Sequence, residues 1–140
     1  MIKYFIFSLV FLSACQVKKE QTQNADITQL HQTWALQSIN GEEYANDVLQ
    51  KHPTLEIFVA EKRVAGNDGC NQIFGEIAIL TDIDLKFGML AGTKMICTDM
   101  KMPNAFGKAL GTVEHYALND LKLTLEDKDH NELMVLRKVD

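Results

Sequence analysis

Beyond residue 14, the sequence lacks any apolar run near the roughly 18 residues that a membrane-spanning helix needs. It also lacks a basic excess, because 14 lysines and arginines face 19 aspartates and glutamates for a net charge of −5. A mildly acidic domain repels phosphate backbones, so we expect no nucleic acid partner. Serine is scarce too, since Ser38 is the only serine after residue 14 and no G-x-S-x-G motif surrounds it. The absence of that motif argues against a serine hydrolase.

The composition is that of an ordinary globular protein. Apolar residues make up 46% of the 140 residues and charged residues make up 24%, so the chain is neither disordered nor fibrous. This length supports one domain, or one domain and a tail.

The first 14 residues have the pattern of a secretion signal. Lys3 precedes an apolar run that ends at Leu12, and this run is too short to span a bilayer. The tetrapeptide Leu12-Ser13-Ala14-Cys15 resembles the lipobox that lipoprotein signal peptidase recognises. The resemblance implies that residues 1–14 are a lipoprotein signal peptide and that Cys15 is acylated, which would anchor the chain in a membrane. An ordinary signal peptide with a chance cysteine is the alternative.

Residues 15–28 are expected to form the lipidated cysteine and a flexible tether. The segment after Cys15 is polar and almost free of large apolar side chains. Gln16 occupies the position at which an aspartate retains such lipoproteins at the inner membrane. We therefore expect a lipid-anchored protein of the cell envelope, located at the outer membrane. Residues 29–140 then form the folded domain.

Alternating apolar residues predict short β-strands through most of this domain. The predicted inward-facing sets are Trp34, Leu36 and Ser38; Leu55, Ile57 and Val59; Ile73, Gly75, Ile77 and Ile79; Leu121, Leu123 and Leu125; and Leu133, Val135 and Arg137. Residues 85–87 and 93–97 are two further short strands in this interpretation. One helix is expected near Pro103. Its apolar stripe consists of Phe106, Ala109, Leu110 and Val113. The pattern favours an α+β fold, with a mostly antiparallel β-sheet curled into a partly open barrel and packed with one α-helix.

Three stretches of the sequence resemble the META domain family. They are Leu30-His31-Gln32-Thr33-Trp34-Ala35-Leu36, Gly66-Asn67-Asp68-Gly69-Cys70-Asn71, and Thr93-Lys94-Met95-Ile96-Cys97 with the helix that follows. The G-x-x-G-C-N core of the second stretch is the most distinctive piece. Bacterial members of this family include the HslJ heat-shock lipoproteins. The resemblance spans residues 29–139 and implies a β-rich domain with one helix, associated with the envelope and with stress. It brings no established catalytic residue or cofactor, so we expect a non-enzymatic envelope lipoprotein whose domain is a binding or stabilising module.

Cys70 and Cys97 remain as a pair in an oxidising compartment once Cys15 carries lipid. A disulfide between them would stabilise the domain by roughly 3.5 kcal/mol, because it removes entropy from the unfolded chain. Two reduced cysteines buried as small apolar residues are the alternative, and we favour the disulfide. A cysteine nucleophile would instead need a positioned histidine. The histidines are scattered in edges and turns, at His31, His52, His115 and His130.

Two segments contain the residue types of a metal site. Soft sulfur ligands for Cu(I) are present at Met95, Cys97, Met100 and Met102. Methionines also commonly fill gaps in a core, which is the interpretation we favour. Residues 127–132 alternate acidic residues like a calcium loop, yet Glu132 stands where that loop needs glycine, so a hairpin turn fits better. We expect neither a metal nor a cofactor.

The loop that contains Gly66, Asn67, Gly69 and Asn71 is the candidate binding surface, with Cys97 nearby. Its glycines allow the backbone to approach a ligand closely, although the same residues could simply shape a bend in the sheet. The expected partners are the membrane, through the lipid anchor, and an envelope protein or a hydrophobic ligand. A second hypothesis is a carrier or pilot for a lipid or hydrophobic peptide. Its cue is small core residues, such as Gly75 and Ala109, that would leave an apolar cleft unfilled.

Overall fold

A computed structural model of the chain describes residues 26–44 and 51–139. The predicted signal peptide, Cys15 and most of the predicted tether therefore lie outside the described residues. Residues 26–28, which the sequence assigned to the tether, lie within the folded part. Asp26 begins a short 3-10 helix, Ile27–Leu30, and its side chain accepts a hydrogen bond from the Thr28 amide at 3.0 Å. Such a side-chain cap satisfies an amide that the helix itself leaves unpaired.

The described residues form nine strands and one α-helix. The strands are β1 Thr33–Ile39, β2 Glu42–Glu43, β3 Thr54–Phe58, β4 Arg63–Asn67, β5 Gln72–Leu80, β6 Leu85–Gly92, β7 His115–Asn119, β8 Lys122–Glu126 and β9 Glu132–Lys138. The helix, α1, is Lys101–Leu110. The main sheet has the order β6-β5-β4-β3-β1-β9-β8-β7, and β2 pairs with β1 outside this path.

Every strand pair in this sheet is antiparallel, and the sheet curls until its two edge strands meet at one end. There, Asp84 forms an isolated bridge with His115. The Tyr116 amide donates to the Ile83 carbonyl at 3.0 Å, and the Leu85 amide donates to the Glu114 carbonyl at 3.1 Å. We call this contact between the start of β6 and the start of β7 the seam. The predicted α+β fold, with a sheet curled into a partly open barrel and packed with one helix, is confirmed.

The core lies between the curled sheet and α1. The predicted helical stripe is confirmed at Phe106, Ala109 and Leu110, which are buried. Val113 is also buried, but it lies beyond the end of α1 at Leu110. Trp34 of β1 is also fully buried, and its indole Nε1 donates to the Leu30 carbonyl at 3.1 Å. That hydrogen bond satisfies the one polar atom of a large apolar side chain. Within residues 26–44 and 51–139, no helix has the length and apolar character needed to cross a membrane.

Bulges change the predicted faces of two strands. In β1 the pairing with β9 shifts between Leu36 and Ser38, so Ile39 and not Ser38 enters the core. In β5 the pairing with β6 shifts twice, and Ile79 is 45% exposed rather than inward-facing. An extra residue in one strand reverses the alternation beyond it, which a strict period of two does not anticipate.

Other predicted strands need correction as well. Residues 93–97 are not a strand, because β6 continues through Gly88 and ends at Gly92. In β9, Met134 and Leu136 belong to the core cluster. Of the predicted set, Val135 is buried and Arg137 is exposed, so the prediction holds only in part. Residues 133–136 are all apolar, and such a run leaves the inward face undetermined.

The C-terminal region differs from the prediction in two further places. Leu121 is 53% exposed, because it lies in the turn before β8 rather than in the strand. Strand β7 was not predicted, since its only fully buried side chain is Tyr116. A single buried position shows no alternation from which a strand could be inferred.

Tyr116 makes the seam sensitive to alkaline pH. Its hydroxyl donates to the Thr81 carbonyl at 2.8 Å. Burial raises the pKa of Tyr116 to about 12, and the negative charges of Asp82 and Asp84 contribute. A tyrosine in the unfolded chain has a pKa near 10, so the folded state holds this proton more tightly. The stabilisation is complete below about pH 10 and is lost as the pH rises to about 12.

Urea unfolding of the wild type and of Tyr116→Phe between pH 9 and pH 12 tests this. At pH 9 the variant should be less stable by about 1 kcal/mol, because it lacks the hydrogen bond. The two stabilities should converge as the pH approaches about 12. Parallel curves over this range would contradict the raised pKa.

Candidate functional site

The loop between β4 and β5 is held in shape by its own side chains. Asn67 donates from Nδ2 to Thr54 Oγ1 at 2.8 Å and accepts at Oδ1 from the Gly69 amide at 3.0 Å. Gly69 has a φ of +97°, a conformation that side chains rarely tolerate. A Cβ atom on Gly66 would lie 2.2 Å from the Thr54 carbonyl oxygen, so only glycine fits there. These residues fix the backbone of the loop.

Asp68 closes the tip of this loop. Its Oδ1 accepts from the Cys70 amide at 2.8 Å and from the Asn71 amide at 2.6 Å. Its own amide donates to the Asn71 carbonyl at 3.0 Å. The residue is 7% exposed, and its Oδ2 accepts no hydrogen bond from the described residues. One carboxylate oxygen is therefore used by the turn, and the other has no hydrogen-bond partner among the described residues.

Asn71 joins this loop to the segment after β6. Its Oδ1 accepts from the Met95 amide at 2.7 Å and from Thr93 Oγ1 at 3.1 Å. Asn71 is 8% exposed, and its Nδ2 donates to no described residue. The Thr93 amide still donates to the Gln72 carbonyl of β5 at 3.1 Å, whereas the Met95 amide donates to this side chain and not to a strand, so the strand pairing ends before Met95.

The structure brings Cys70 and Cys97 together in a disulfide, with Cα atoms 6.1 Å apart. This bond is a second connection between the same two segments, beside the hydrogen bonds of Asn71. Neither cysteine has a free thiol, so neither offers a nucleophile or a metal ligand. The two connections hold residues 93–97 against the β4–β5 loop at the end of the half-barrel where both lie.

A cleft of about 240 Å³ opens between this paired loop structure, the end of β6 and α1. Its wall contains both polar and apolar residues. Among its lining residues, the polar ones include Asp68, Asn71 and Thr93, and the apolar ones include Ile73, Leu90 and Leu110. Asp68 and Asn71, whose Oδ2 and Nδ2 atoms have no partner among the described residues, both belong to this lining. The cleft thus combines polar side chains that can accept and donate hydrogen bonds with an apolar surface.

Of the four residues predicted to form the binding surface, only Asn71 lines the cleft. Gly66, Asn67 and Gly69 build the loop, whereas Asn71 lines the cleft itself. Asp68 and Thr93 were not singled out in the sequence, although Asp68 stands two and three residues before the amides that it binds. That spacing is typical of a side chain that caps its own turn.

The segments considered for metals have other roles. Met95 is 54% exposed, while Met102 packs against the core. Residues 127–131 connect β8 to β9, and Asp127 Oδ1 accepts from the Asn131 amide at 2.9 Å. Hydrogen bonds from the Asn131 side chain and amide hold the pKa of Asp127 below its usual value. In the described part of the chain, no three His, Cys, Asp or Glu side chains are grouped to hold a metal ion.

The structure contradicts the cue for a carrier function at Gly75. A Cβ atom on Gly75 would lie 2.4 Å from the Met89 carbonyl oxygen, so this glycine marks a close approach of strands and not unfilled space. Ala109 is buried in the core, and neither residue lines the cleft.

Comparison with known sequences decides the family. Residues 25–140 match the sequence profile of the META domain. The chain belongs to the META domain family. A search of curated proteins found no significant match to this META domain protein.

Two solved structures are similar to the protein in fold. A protein from Burkholderia xenovorans, determined by NMR, has a TM-score of 0.65 and 18% identity, with 99% of each chain covered. A second NMR structure has a TM-score of 0.62 and 23% identity, and covers 81% of this chain and 94% of its own. At these identities the similarity establishes the fold alone.

Proposed function

We propose that this META domain protein is a non-enzymatic, lipid-anchored binding module of the cell envelope, and that its cleft holds a segment of a partner protein. One observation supports the cleft as the binding site. Asp68 and Asn71 are each more than nine-tenths buried, line the same cleft, and each keep one polar atom without a partner among the described residues.

Such atoms favour occupation of the cleft. A ligand that offers hydrogen-bond partners to these two atoms gains affinity, because a hydrogen bond contributes about 0.5–1.5 kcal/mol. An amide group offers both a donor and an acceptor, which match Asp68 Oδ2 and Asn71 Nδ2. The apolar wall formed by Leu90 and Leu110 suits a neighbouring side chain. A peptide segment therefore fits the cleft better than a purely apolar ligand does.

The construction of the site also favours binding. The disulfide and the Asn71 hydrogen bonds hold both polar residues in place before any ligand arrives. A preformed site loses little conformational entropy when it binds, and this raises affinity. The same features also stabilise the loop.

The anchor and the setting rest on the sequence. The lipobox-like tetrapeptide ending at Cys15 supports acylation, and Gln16 supports the outer membrane. A role under envelope stress is the part of the proposal that the family resemblance supports. A single acyl chain binds a membrane only marginally, so stable anchoring requires the several chains that a lipoprotein carries.

Site-specific photo-crosslinking in intact cells tests the proposed site. A photoreactive amino acid at Gln72, an exposed residue beside the cleft, should give a crosslinked protein product. The same probe at Glu61, exposed in the β3–β4 turn at the other end of these strands, is the matched control. Crosslinks at both positions, at neither, or only to lipid from Gln72 would contradict the proposal.

A second variant shows whether the unused donor matters. Asn71→Asp keeps an oxygen for the Met95 amide and for Thr93 but replaces the free donor with an acceptor. It should reduce crosslinking from Gln72 by roughly tenfold, the factor that corresponds to about 1.4 kcal/mol. Asn119→Asp adds the same charge at an exposed site and should leave the crosslink unchanged.

A further inference from the structure

The strand at one edge of the main sheet borders the cleft. Strand β6 lies at this edge, and the hydrogen bonds of the seam join only its start to the segment that leads into β7. Further along β6, Leu90, Ala91 and Gly92 line the cleft. Ala91 and Gly92 are exposed, and Leu90 is half-buried. We call residues 90–92 the open edge.

The backbone of the open edge has hydrogen-bonding groups that the sheet does not use. The Thr93 amide donates to the Gln72 carbonyl at 3.1 Å, so Thr93 faces β5. In an antiparallel pair, successive residues alternate between facing the neighbouring strand and facing away from it, and the register is regular over residues 90–92. Leu90 and Gly92 therefore turn their amide and carbonyl groups away from β5. On that outer side, neither residue has a hydrogen bond to a described residue.

The open edge lacks the features that keep sheet edges from pairing with other chains. Proteins protect such edges with charged side chains, with proline or with bulges. Residues 88–92 contain neither a charged residue nor a proline. Both register shifts in the pairing of β6 with β5 lie before Leu90, so the open edge itself is regular. A regular, uncharged edge is suited to pairing with another extended chain.

The exposed charges next to the cleft are positive. Lys94 follows Thr93 and Lys108 follows Gly107, and those two neighbours line the cleft. Both lysines are exposed, and neither forms an ion pair with a residue in the described part of the chain. Asp68 also lines the cleft, but it is buried and two backbone amides offset its charge. A chain with a net charge of −5 thus presents unpaired positive charge beside its cleft.

We infer that the partner segment binds as an added β-strand, which pairs its backbone with Leu90 and Gly92 and carries acidic side chains that meet Lys94 and Lys108. This inference rests on the proposed function, because it names the conformation and the charge of the segment proposed there. In an added strand, main-chain hydrogen bonds supply affinity and alternate side chains supply specificity. The apolar wall at Leu110 then receives an apolar side chain of the segment. A second copy of this chain fits less well, because two paired open edges would bring four lysines together.

Photo-crosslinking from Gln72 in intact cells, combined with two substitutions at Leu90, tests the added strand. Leu90→Ala removes the leucine side chain and keeps the outward amide, whereas Leu90→Pro also removes that amide and places its ring where the added strand would lie. Proline is tolerated in an edge strand where the amide faces solvent, so both variants should fold, which circular dichroism checks. Leu90→Pro should give roughly tenfold less crosslinked product than Leu90→Ala, because it loses a hydrogen bond and obstructs the pairing. Equal yields from the two variants would overturn the added strand.

Charge reversal tests the acidic character of the segment with the same crosslink. Lys94→Glu and Lys108→Glu should each lower the yield by about threefold or more, because an attraction between exposed charges becomes a repulsion. Lys122→Glu makes the same charge change at an exposed position in β8, outside the cleft lining, and should leave the yield unchanged.

The outcomes separate this inference from the proposed function. A wild type that gives no protein crosslink from Gln72 would contradict the proposed function itself, and the inference with it. A wild type that crosslinks to a partner, with equal yields in Lys94→Glu, Lys108→Glu and Lys122→Glu, would overturn the inference alone. A crosslink only to a second copy of this chain would also overturn it.

Discussion

Replacing Cys97 with serine is expected to lower the free energy of unfolding by roughly 3.5 kcal/mol. The disulfide joins positions 27 residues apart, and without it the unfolded chain regains the entropy of that loop. Cys97 is half-buried, so the serine hydroxyl can still reach water and adds little penalty of its own. A small domain has 5–15 kcal/mol of stability in total, which makes this a large loss.

Urea unfolding of the wild type and of Cys97→Ser, each with and without a thiol reductant, measures this effect. Reduction should destabilise the wild type to the level of the variant and leave the variant unchanged. A wild type that is insensitive to reductant, or that titrates with two free thiols when unfolded, would contradict the disulfide.

Hydrogen exchange in the same variant separates the two connections at the cleft, the disulfide and the Asn71 hydrogen bonds. The hydrogen bond from the Met95 amide to Asn71 Oδ1 does not depend on the sulfur atoms. In Cys97→Ser, the Met95 amide should therefore keep most of its protection from hydrogen exchange. Loss of that protection would show that Asn71 alone does not hold the segment.

The fold was predictable wherever apolar residues alternate without interruption. Leu55 and Ile57 in β3, and Leu123 and Leu125 in β8, are all buried as their spacing indicates. The prediction failed at the bulges of β1 and β5, because the extra residue depends on the partner strand and leaves no mark on the local pattern. The pairing with the neighbouring strand determines which side chains of β1 and β5 enter the core.

The candidate site was predictable only in part. The glycines and Asn67 mark a turn by their residue types alone, and the loop is where they place it. The partners of Asn71 are more than 20 residues away, so its contacts to Thr93 and Met95 depend on the fold.

The second large effect is expected at Cys15, which lies outside the described residues. Replacing its sulfur with the oxygen of serine removes the atom that lipoprotein processing acylates. Each buried methylene contributes about 0.8 kcal/mol to membrane binding, so loss of several acyl chains removes far more free energy than any surface contact of the domain could replace. We therefore expect Cys15→Ser to leave the membrane fraction almost completely, while Cys97→Ser, which retains Cys15, stays with it.

The anchored location is the central claim, and labelling with a radioactive or clickable fatty acid tests it most directly. The wild type and Cys97→Ser should incorporate the label and sediment with the outer membrane, while Cys15→Ser should do neither. A wild type that takes up no fatty acid, or a Cys15→Ser variant that still sediments with the membrane, would contradict the claim.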